Sequence, residues 1–257
     1  MRPLFLCQLY LTGILRRQLH LATLLLAILL LILPAYVDAF SMGLHSFERV
    51  AKEFGLTAIS YFAVAMAIML GCTSIPADLE SRALYPILAR PLSRGSYMLA
   101  HFLALLLWLG GSLLLLLGCF CLALRIKTGH FDTGVAVGVY GAFLQAMVVG
   151  TVCLVFSVRC SPPLAGTIGA AVFLVGNLSG AFIRFFLVED RESIVSATLA
   201  KTLKGIMPNL SLFALKDPAV HSIALPSGYL AAISYNALIW VVILLLLAQL
   251  AFQRVDL

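Results

Sequence analysis

Long stretches without a charged residue are the feature that most constrains how this chain folds. Six stretches of 20 to 36 residues contain no Lys, Arg, Asp or Glu. A helix needs about 20 apolar residues to cross the hydrocarbon core of a bilayer, so each stretch has room for one crossing. Runs such as LATLLLAILLLIL and LIWVVILLLLAQLAF lack the alternation of β-barrel strands. The sequence therefore predicts an all-α polytopic membrane protein, a single transmembrane domain over residues 1–257, with spans at about 19–37, 55–75, 97–124, 133–157, 164–184 and 227–252.

Composition excludes other classes of protein. The chain is 62% hydrophobic and 11% charged, whereas soluble domains carry about 25% charged residues. Its net charge of +6 comes from basic residues scattered between apolar runs, without the stripe that nucleic-acid binding requires. Lipid is the solvent that such a surface needs, and no nucleic-acid partner is expected.

Orientation follows from the basic residues next to the spans. With both termini in the cytoplasm, the inner segments hold eight Lys and Arg residues and the outer segments nine, so the total does not decide. Around the first span, three arginines precede the helix and only Arg49 and Lys52 follow it. This local bias favours cytoplasmic termini.

Three connecting segments have amphipathic helical patterns. In residues 1–20, Leu4, Leu11, Ile14 and Leu15 share one face, which predicts an N-terminal helix in the membrane interface. Residues 195–206 repeat the pattern in the last long connection, where an outer interfacial helix is expected.

The third amphipathic segment connects the second and third spans. Ser74 is a candidate N-cap for a separate short helix, Pro86 is expected to kink this helix, and Pro91 is expected to end it. Two interpretations are open. The segment docks a cytoplasmic partner, or it covers lipid headgroups.

The spans themselves carry little chemistry. Gln145, Asn177 and Asn236 are polar residues inside spans, and such residues bind neighbouring helices or line a substrate path. Gly176 and Gly180 form a GxxxG pair, which serves either dimer contact or packing within one subunit. Charged residues at mid-bilayer, typical of ion-coupled transport, are missing from the sequence.

Motifs for catalysis and for nucleotide binding are missing from the sequence. It contains no GxxxxGK[ST], so any dependence on ATP has to come from another chain. The cysteines and histidines lack metal-site spacing, so we expect no metal and no catalytic residues. A membrane-embedded enzyme for lipid or peptide would need acids, His or Cys clustered at one depth. That enzyme, and a scaffold subunit that does not transport, remain the alternatives to a transporter.

Two segments carry a family resemblance. The run Ile75–Tyr97, IPADLESRALYPILARPLSRGSY, resembles the loop of type-2 ABC exporter permeases, with Glu80 as the acidic residue and Pro91-Leu92-Ser93-Arg94 as the P-x-S-R ending. MPNLSLFALKD, at residues 207–217, is similar to the P-N-x-x-x-F segment of that family. Six spans and the length of the chain fit as well, while Pro86 departs from the family pattern.

The resemblance implies an architecture and partners. Such a permease subunit forms a dimer with a second copy or a homologue in the bacterial cytoplasmic membrane. It exports its substrate with the help of two separate ABC ATPase subunits, which bind ATP and Mg and dock on the 75–97 loop. Accessory membrane or periplasmic subunits are possible partners. The chain itself needs no cofactor. The positions implied in docking are Asp78, Glu80, Arg82, Leu84, Arg90 and Arg94. The substrate stays open between lipid-like, peptide and other amphipathic molecules.

Overall fold

A computed structural model describes residues 10–14, 19–41, 47–80, 94–129, 132–188, 208–221, 223 and 225–253. Within these ranges all regular structure is helical, as predicted. The elements in chain order are α1 (Leu19–Ser41), α2 (Phe47–Glu80), α3 (Arg94–Thr128), α4 (Thr133–Ser157), α5 (Pro162–Val188), a 3-10 helix (Leu210–Phe213), α6 (Lys216–Val220) and α7 (Tyr229–Gln253).

Five of these helices are long and apolar enough to cross a membrane. The qualifying segments are Leu19–Val37, Glu48–Pro76, Gly95–Thr128, Thr133–Ser157 and Tyr229–Phe252. In α5, the stretch that qualifies as apolar is the shorter Pro162–Leu178. The chain thus has the helical, apolar character of an integral membrane protein, with five candidate spans in the described residues.

Helix α4 lies at the centre of the molecule. Of its 25 residues, 17 are buried, whereas only a minority of the residues of α1 and α7 are buried. A helix that is apolar all round is typical of such a central position. Most of the other helices pack against it, and α2 makes the most extensive contact with it.

Small residues bring α2 and α4 together. A Cβ atom at Gly71 would lie 2.6 Å from the carbonyl oxygen of Gly150, so the two backbones touch at this level. Ala63 and Ala67 continue the same stripe along α2, and both are buried. The four-residue spacing of these three small residues predicts a close approach of backbones, and that prediction is confirmed at Gly71.

Helix α2 is longer than the span predicted at 55–75. It begins at Phe47 and continues through Pro76 to Glu80, so the prediction that Ser74 caps a separate helix is wrong. Proline removes one helical hydrogen bond, but the neighbouring Ile75 is fully buried and holds this turn in the core. The loop helix beyond residue 80 and the outer interfacial helix at 195–206 lie outside the described residues.

Ring contacts and a hydrogen bond show which helix ends lie together at each end of the helix bundle. At one end, which we call the Tyr97 end, Tyr97 of α3 stacks on Phe252 of α7 at 5.4 Å, and Tyr10 stacks on His101 at 3.9 Å. The hydroxyls of Tyr140 and Ser234 lie 2.7 Å apart in the second turns of α4 and α7, towards the opposite end. Residue 10, the start of α3 and the end of α7 therefore meet at the Tyr97 end.

Candidate functional site

The principal candidate site is a cavity of about 390 Å³ between α2, α4, α5 and the segment 213–217. Cavities of about 300 to 1,000 Å³ hold small molecules. The lining residues are Thr57, Ser60 and Tyr61 from α2, Gly138, Ala142 and Gln145 from α4, Phe173, Leu174, Asn177 and Leu178 from α5, and residues 213–217.

Two amides form the polar part of this cavity. The side-chain Nε2 of Gln145 donates to Oδ1 of Asn177 at 2.8 Å, and Nδ2 of Asn177 donates to the carbonyl of Phe173 at 3.1 Å. Gln145 is only 5% exposed. The structure therefore brings together two of the three polar residues predicted from the spans, and their bond joins α4 to α5.

The third predicted polar residue lies elsewhere. Asn236 of α7 does not line the cavity, and its Oδ1 is buried with no hydrogen-bond partner within the described residues. Its polar group is therefore separate from the Gln145–Asn177 pair.

Two hydroxyls of α2 add to the polar lining. The hydroxyl of Ser60 donates its hydrogen to the carbonyl of Leu56 at 2.7 Å, so its oxygen can still accept a hydrogen bond. Thr57 donates to the carbonyl of Glu53 at 2.5 Å and accepts from Nζ of Lys216 at 3.3 Å. The hydroxyl oxygen of Ser60 thus stays available as an acceptor. The hydroxyl oxygen of Thr57 already accepts from the ammonium of Lys216.

The segment 208–217 closes one side of the cavity. Leu210, Phe213 and Leu215 are buried, and a Cβ atom at Gly141 would lie 2.4 Å from the carbonyl oxygen of Phe213. Only a glycine on α4 lets the backbone of this segment approach so closely. Sequence analysis singled out MPNLSLFALKD for its family pattern but missed Gly141, whose role depends on Phe213, 72 positions later.

An ion pair holds the start of α6 against α2 beside the cavity. Nζ of Lys216 lies 2.5 Å from Oε1 of Glu53, and both side chains are partly exposed. Because Lys216 also donates to Thr57, its ammonium has two partners on consecutive turns of α2. The positive charge beside the cavity is therefore compensated.

A second, more deeply buried charge cluster lies at the same end of α2. Lys52, only 3% exposed, pairs with Glu48 at 2.6 Å and with Asp132. Asp132 also caps α4, because its Oδ1 accepts from the backbone N–H of Gly134 at 2.8 Å. Sequence reasoning used these charges only to bound the spans and to count basic residues for the orientation. The four-residue spacing of Glu48 and Lys52, which is typical of an ion pair within a helix, was a signal that it missed.

The predicted docking positions are described only in part. Asp78 and Glu80 fall in the last turn of α2, and Arg94 is the first residue of α3. Their side chains, and the whole of Arg82, Leu84 and Arg90, lie outside the described residues.

The glycine pair of α5 is also described in part. A Cβ atom at Gly176 would lie 2.7 Å from the side chain of Leu210 in the same chain. This contact belongs to packing within one subunit, which was one of the two interpretations. The environment of Gly180 is outside the described residues, so the dimer contact stays a prediction.

Cysteines gather near the other end of α2 and α4. Cys72 and Cys153 pack with Ala165 in a small buried cluster, and both thiols are free. In the part of the chain that the structure describes, no three His, Cys, Asp or Glu side chains stand close enough to hold a metal ion. The buried cluster packs α2, α4 and the first turn of α5 together.

No family model matches this chain, and no curated protein matches it.

Proposed function

We propose that the chain is the membrane permease subunit of an ATP-driven ABC transporter, an exporter that works as a dimer with separate ATPase subunits docked on the 75–97 loop. The observation that carries this proposal is that α2 and α3, the two helices on either side of that loop, are longer than a membrane crossing needs.

The lengths of α2 and α3 support a docking position. With 34 and 35 residues, the two helices are about 51 and 52 Å long at 1.5 Å per residue, against a hydrocarbon core of about 30 Å. At the Tyr97 end, α2 continues four residues past its apolar segment to Glu80, and α3 begins at Arg94, one residue before its own apolar segment. The connection that resembles the permease loop is thus carried away from the apolar core.

The charges at the end of α2 favour a partner as well. Its last turn contains Asp78 and Glu80 and no basic residue. Carboxylates are unfavourable at a helix C-terminus, because the macrodipole is negative there. A basic surface on an ATPase subunit would compensate both charges.

Chain direction supports six crossings. The Tyr140–Ser234 contact indicates that α4 and α7 begin towards the same end, and the Tyr97–Phe252 contact holds the end of α7 at the Tyr97 end. The chain has to return across the layer between these two parallel helices. Helix α5, with 27 residues and a length of about 40 Å, is the described element able to do so. Both termini then lie on one side, which we assign to the cytoplasm of a bacterial cell.

A place for cargo complements the place for an ATPase. Gln145 is 12 residues from the start of α4, about 18 Å along the helix, and so close to the middle of the membrane. A polar cavity at this depth favours a transport path over a purely structural subunit. ATP and Mg would bind to the partner, and the permease itself would bind no cofactor.

The experiment is purification of the tagged chain from its native membrane, followed by identification of co-purifying chains and assay of Mg-dependent ATP hydrolysis. We expect a P-loop ATPase that is lost when Glu80→Arg or Arg94→Glu is introduced. Arg49→Glu is the matched control, because Arg49 is exposed near the other end of α2. Full ATPase activity and assembly in the doubly reversed variant would reject docking on this loop.

A further inference from the structure

We propose that the cavity binds an uncharged amphipathic molecule of lipid type, with its hydrogen-bonding head on Gln145 and Asn177 and its apolar chain directed past Tyr61 and Leu174 into the bilayer. This inference rests on the proposed function in one respect, since the bound molecule would be the cargo of the permease.

The head of the bound molecule has to be uncharged, because the two side chains that would bind it, Gln145 and Asn177, carry no charge. Gln145 and Asn177 are amides at the middle of α4 and α5, so an ion bound to them would lose its hydration without gaining a counter-ion from either. The two charged residues of the lining, Lys216 and Asp217, belong instead to the segment 213–217 at one side of the cavity. Lys216, the cation in the lining, already binds Glu53 and Thr57. A phosphate or carboxylate head therefore finds no cation left to bind it.

The head also has to carry both a donor and an acceptor. Gln145 uses one N–H on Asn177, and its remaining N–H and its Oε1 make no other hydrogen bond within the described residues. Ser60 points its hydroxyl hydrogen at Leu56, so its lone pairs accept from the cavity side. An amide or hydroxyl head matches this combination of donor and acceptors.

The rim of the cavity favours entry from the membrane. Tyr61, Leu174 and Leu178 line the cavity and yet are 61%, 57% and 49% exposed. All three lie in the apolar segments of α2 and α5. Phe213 and Leu215 are instead buried. The segment 208–217 therefore covers the side of the cavity that faces the ion pairs near the start of α2. The uncovered apolar rim is the side on which a hydrocarbon chain leaves.

The test uses the purified full-length chain in phosphatidylcholine nanodiscs, without an ATPase. Three photo-crosslinkable lipids with identical acyl chains are compared: a ceramide with an amide and hydroxyl head, a phosphatidic acid, and a lipid with a quaternary ammonium head. We expect saturable labelling of cavity residues by the ceramide alone. Labelling that is equal for all three heads, or that does not saturate, overturns the proposal.

Two variants locate the site, and a third serves as a control. Gln145→Leu removes the hydrogen bonds to the head and should weaken ceramide binding by about tenfold. Leu174→Trp fills the rim at an exposed position, so labelling should fall without disturbing the fold. Asn236→Leu removes a membrane-embedded amide outside the cavity and should leave labelling unchanged. Unchanged labelling in Leu174→Trp overturns the proposal even if Gln145→Leu fails to fold.

A second copy of the chain is the other candidate to cover the rim. A Tyr61→Cys variant that cross-links between copies and excludes the ceramide overturns entry from the bilayer. Failure here is distinct from failure of the transport proposal. Saturable ceramide labelling without any co-purifying ATPase rejects the transporter and keeps the binding site, whereas an assembled ATPase without labelling does the reverse.

Discussion

Lys52 binds the carboxylate of Glu48, one helical turn earlier on α2, at 2.6 Å, although the lysine side chain is only 4% exposed. Asp132, at the start of α4, is the second partner of the same ammonium. A hydropathy plot would assign these three charged residues to a loop, but they lie at the start of α2 and of α4 and pair with one another. Their pairing lets α2 begin at Phe47, eight residues before the predicted span.

Replacing Lys52 with Met should destabilise the protein by about 3 kcal/mol. The change leaves Glu48 and Asp132 close together without their cation, and breaking a buried ion pair typically costs about 3–5 kcal/mol. We place the cost at the low end because both carboxylates are partly exposed. The measurement is unfolding by SDS in lipid mixed micelles.

The triple variant Glu48→Gln, Lys52→Met, Asp132→Asn provides the control for this prediction. It removes every charge of the cluster, and Asn caps a helix as well as Asp does. Most of the lost stability should return. A triple variant as unstable as Lys52→Met alone would show that packing of the lysine stem, not charge pairing, is what matters.

Lys216→Met tests a weaker ion pair at the same end. Lys216 and Glu53 lie 2.5 Å apart, but their side chains are 31% and 44% exposed. Exposed pairs contribute about 0–1 kcal/mol, so the same unfolding measurement should show a loss below about 1 kcal/mol. A loss as large as that of Lys52→Met would mean that Lys216 anchors the whole segment 208–217.

Gly71→Ala should destabilise the protein by about 1–3 kcal/mol, the usual cost of overpacking. Its new methyl group would meet the carbonyl oxygen of Gly150, which is backbone and moves only with α4. Gly111→Ala is the matched control in α3, where a Cβ meets nothing within 4 Å. That variant should instead gain up to about 1 kcal/mol, since Ala is the better helix former. Equal effects in the two variants would contradict the close approach of α2 and α4.

Sequence reasoning predicted best the all-helical fold and five of the six spans. A hydrocarbon solvent leaves a signature that local composition records, because charges are expelled from about 20 residues at a time. The same logic singled out Gln145 and Asn177, since amides are uncommon inside such stretches. Their meeting across α4 and α5 follows from helix order and rotation, which composition does not report.

The misses share a physical cause. Lys52 is helical and buried because Asp132 pairs with it from 80 positions away, and the backbone at 208–217 is placed by Gly141. Each depends on a distant partner, so local periodicity contains no trace of it. At Ser74, local reasoning gave the preference of serine for helix N-caps too much weight, whereas α2 continues through this residue and the neighbouring Ile75 is buried.

Gly141→Ala should release the segment 208–217 from α4. A methyl group there would meet the carbonyl oxygen of Phe213, so the segment has to move or α4 has to rotate. Because Leu210, Phe213 and Leu215 are buried under this contact, their backbone amides should exchange hydrogen faster, which mass spectrometry can follow peptide by peptide. Gly118→Ala, at a glycine with open space around it, should leave exchange of the segment unchanged. Protection that survives in Gly141→Ala would place the segment further from α4.

The bond between Gln145 and Asn177 should give a measurable coupling energy. In a double-mutant cycle of Gln145→Leu and Asn177→Leu we expect a coupling of about 0.6–1.7 kcal/mol in unfolding free energy, between the average and the largest value found for hydrogen bonds between membrane helices. The bond is direct and Gln145 is buried, so a value in the upper half is expected. A parallel cycle of Gln145→Leu with Asn236→Leu should give a coupling near zero, because Asn236 does not line the cavity. Equal couplings in both cycles would mean that the loss reflects general helix packing, and the polar floor of the cavity would then not be a specific pair.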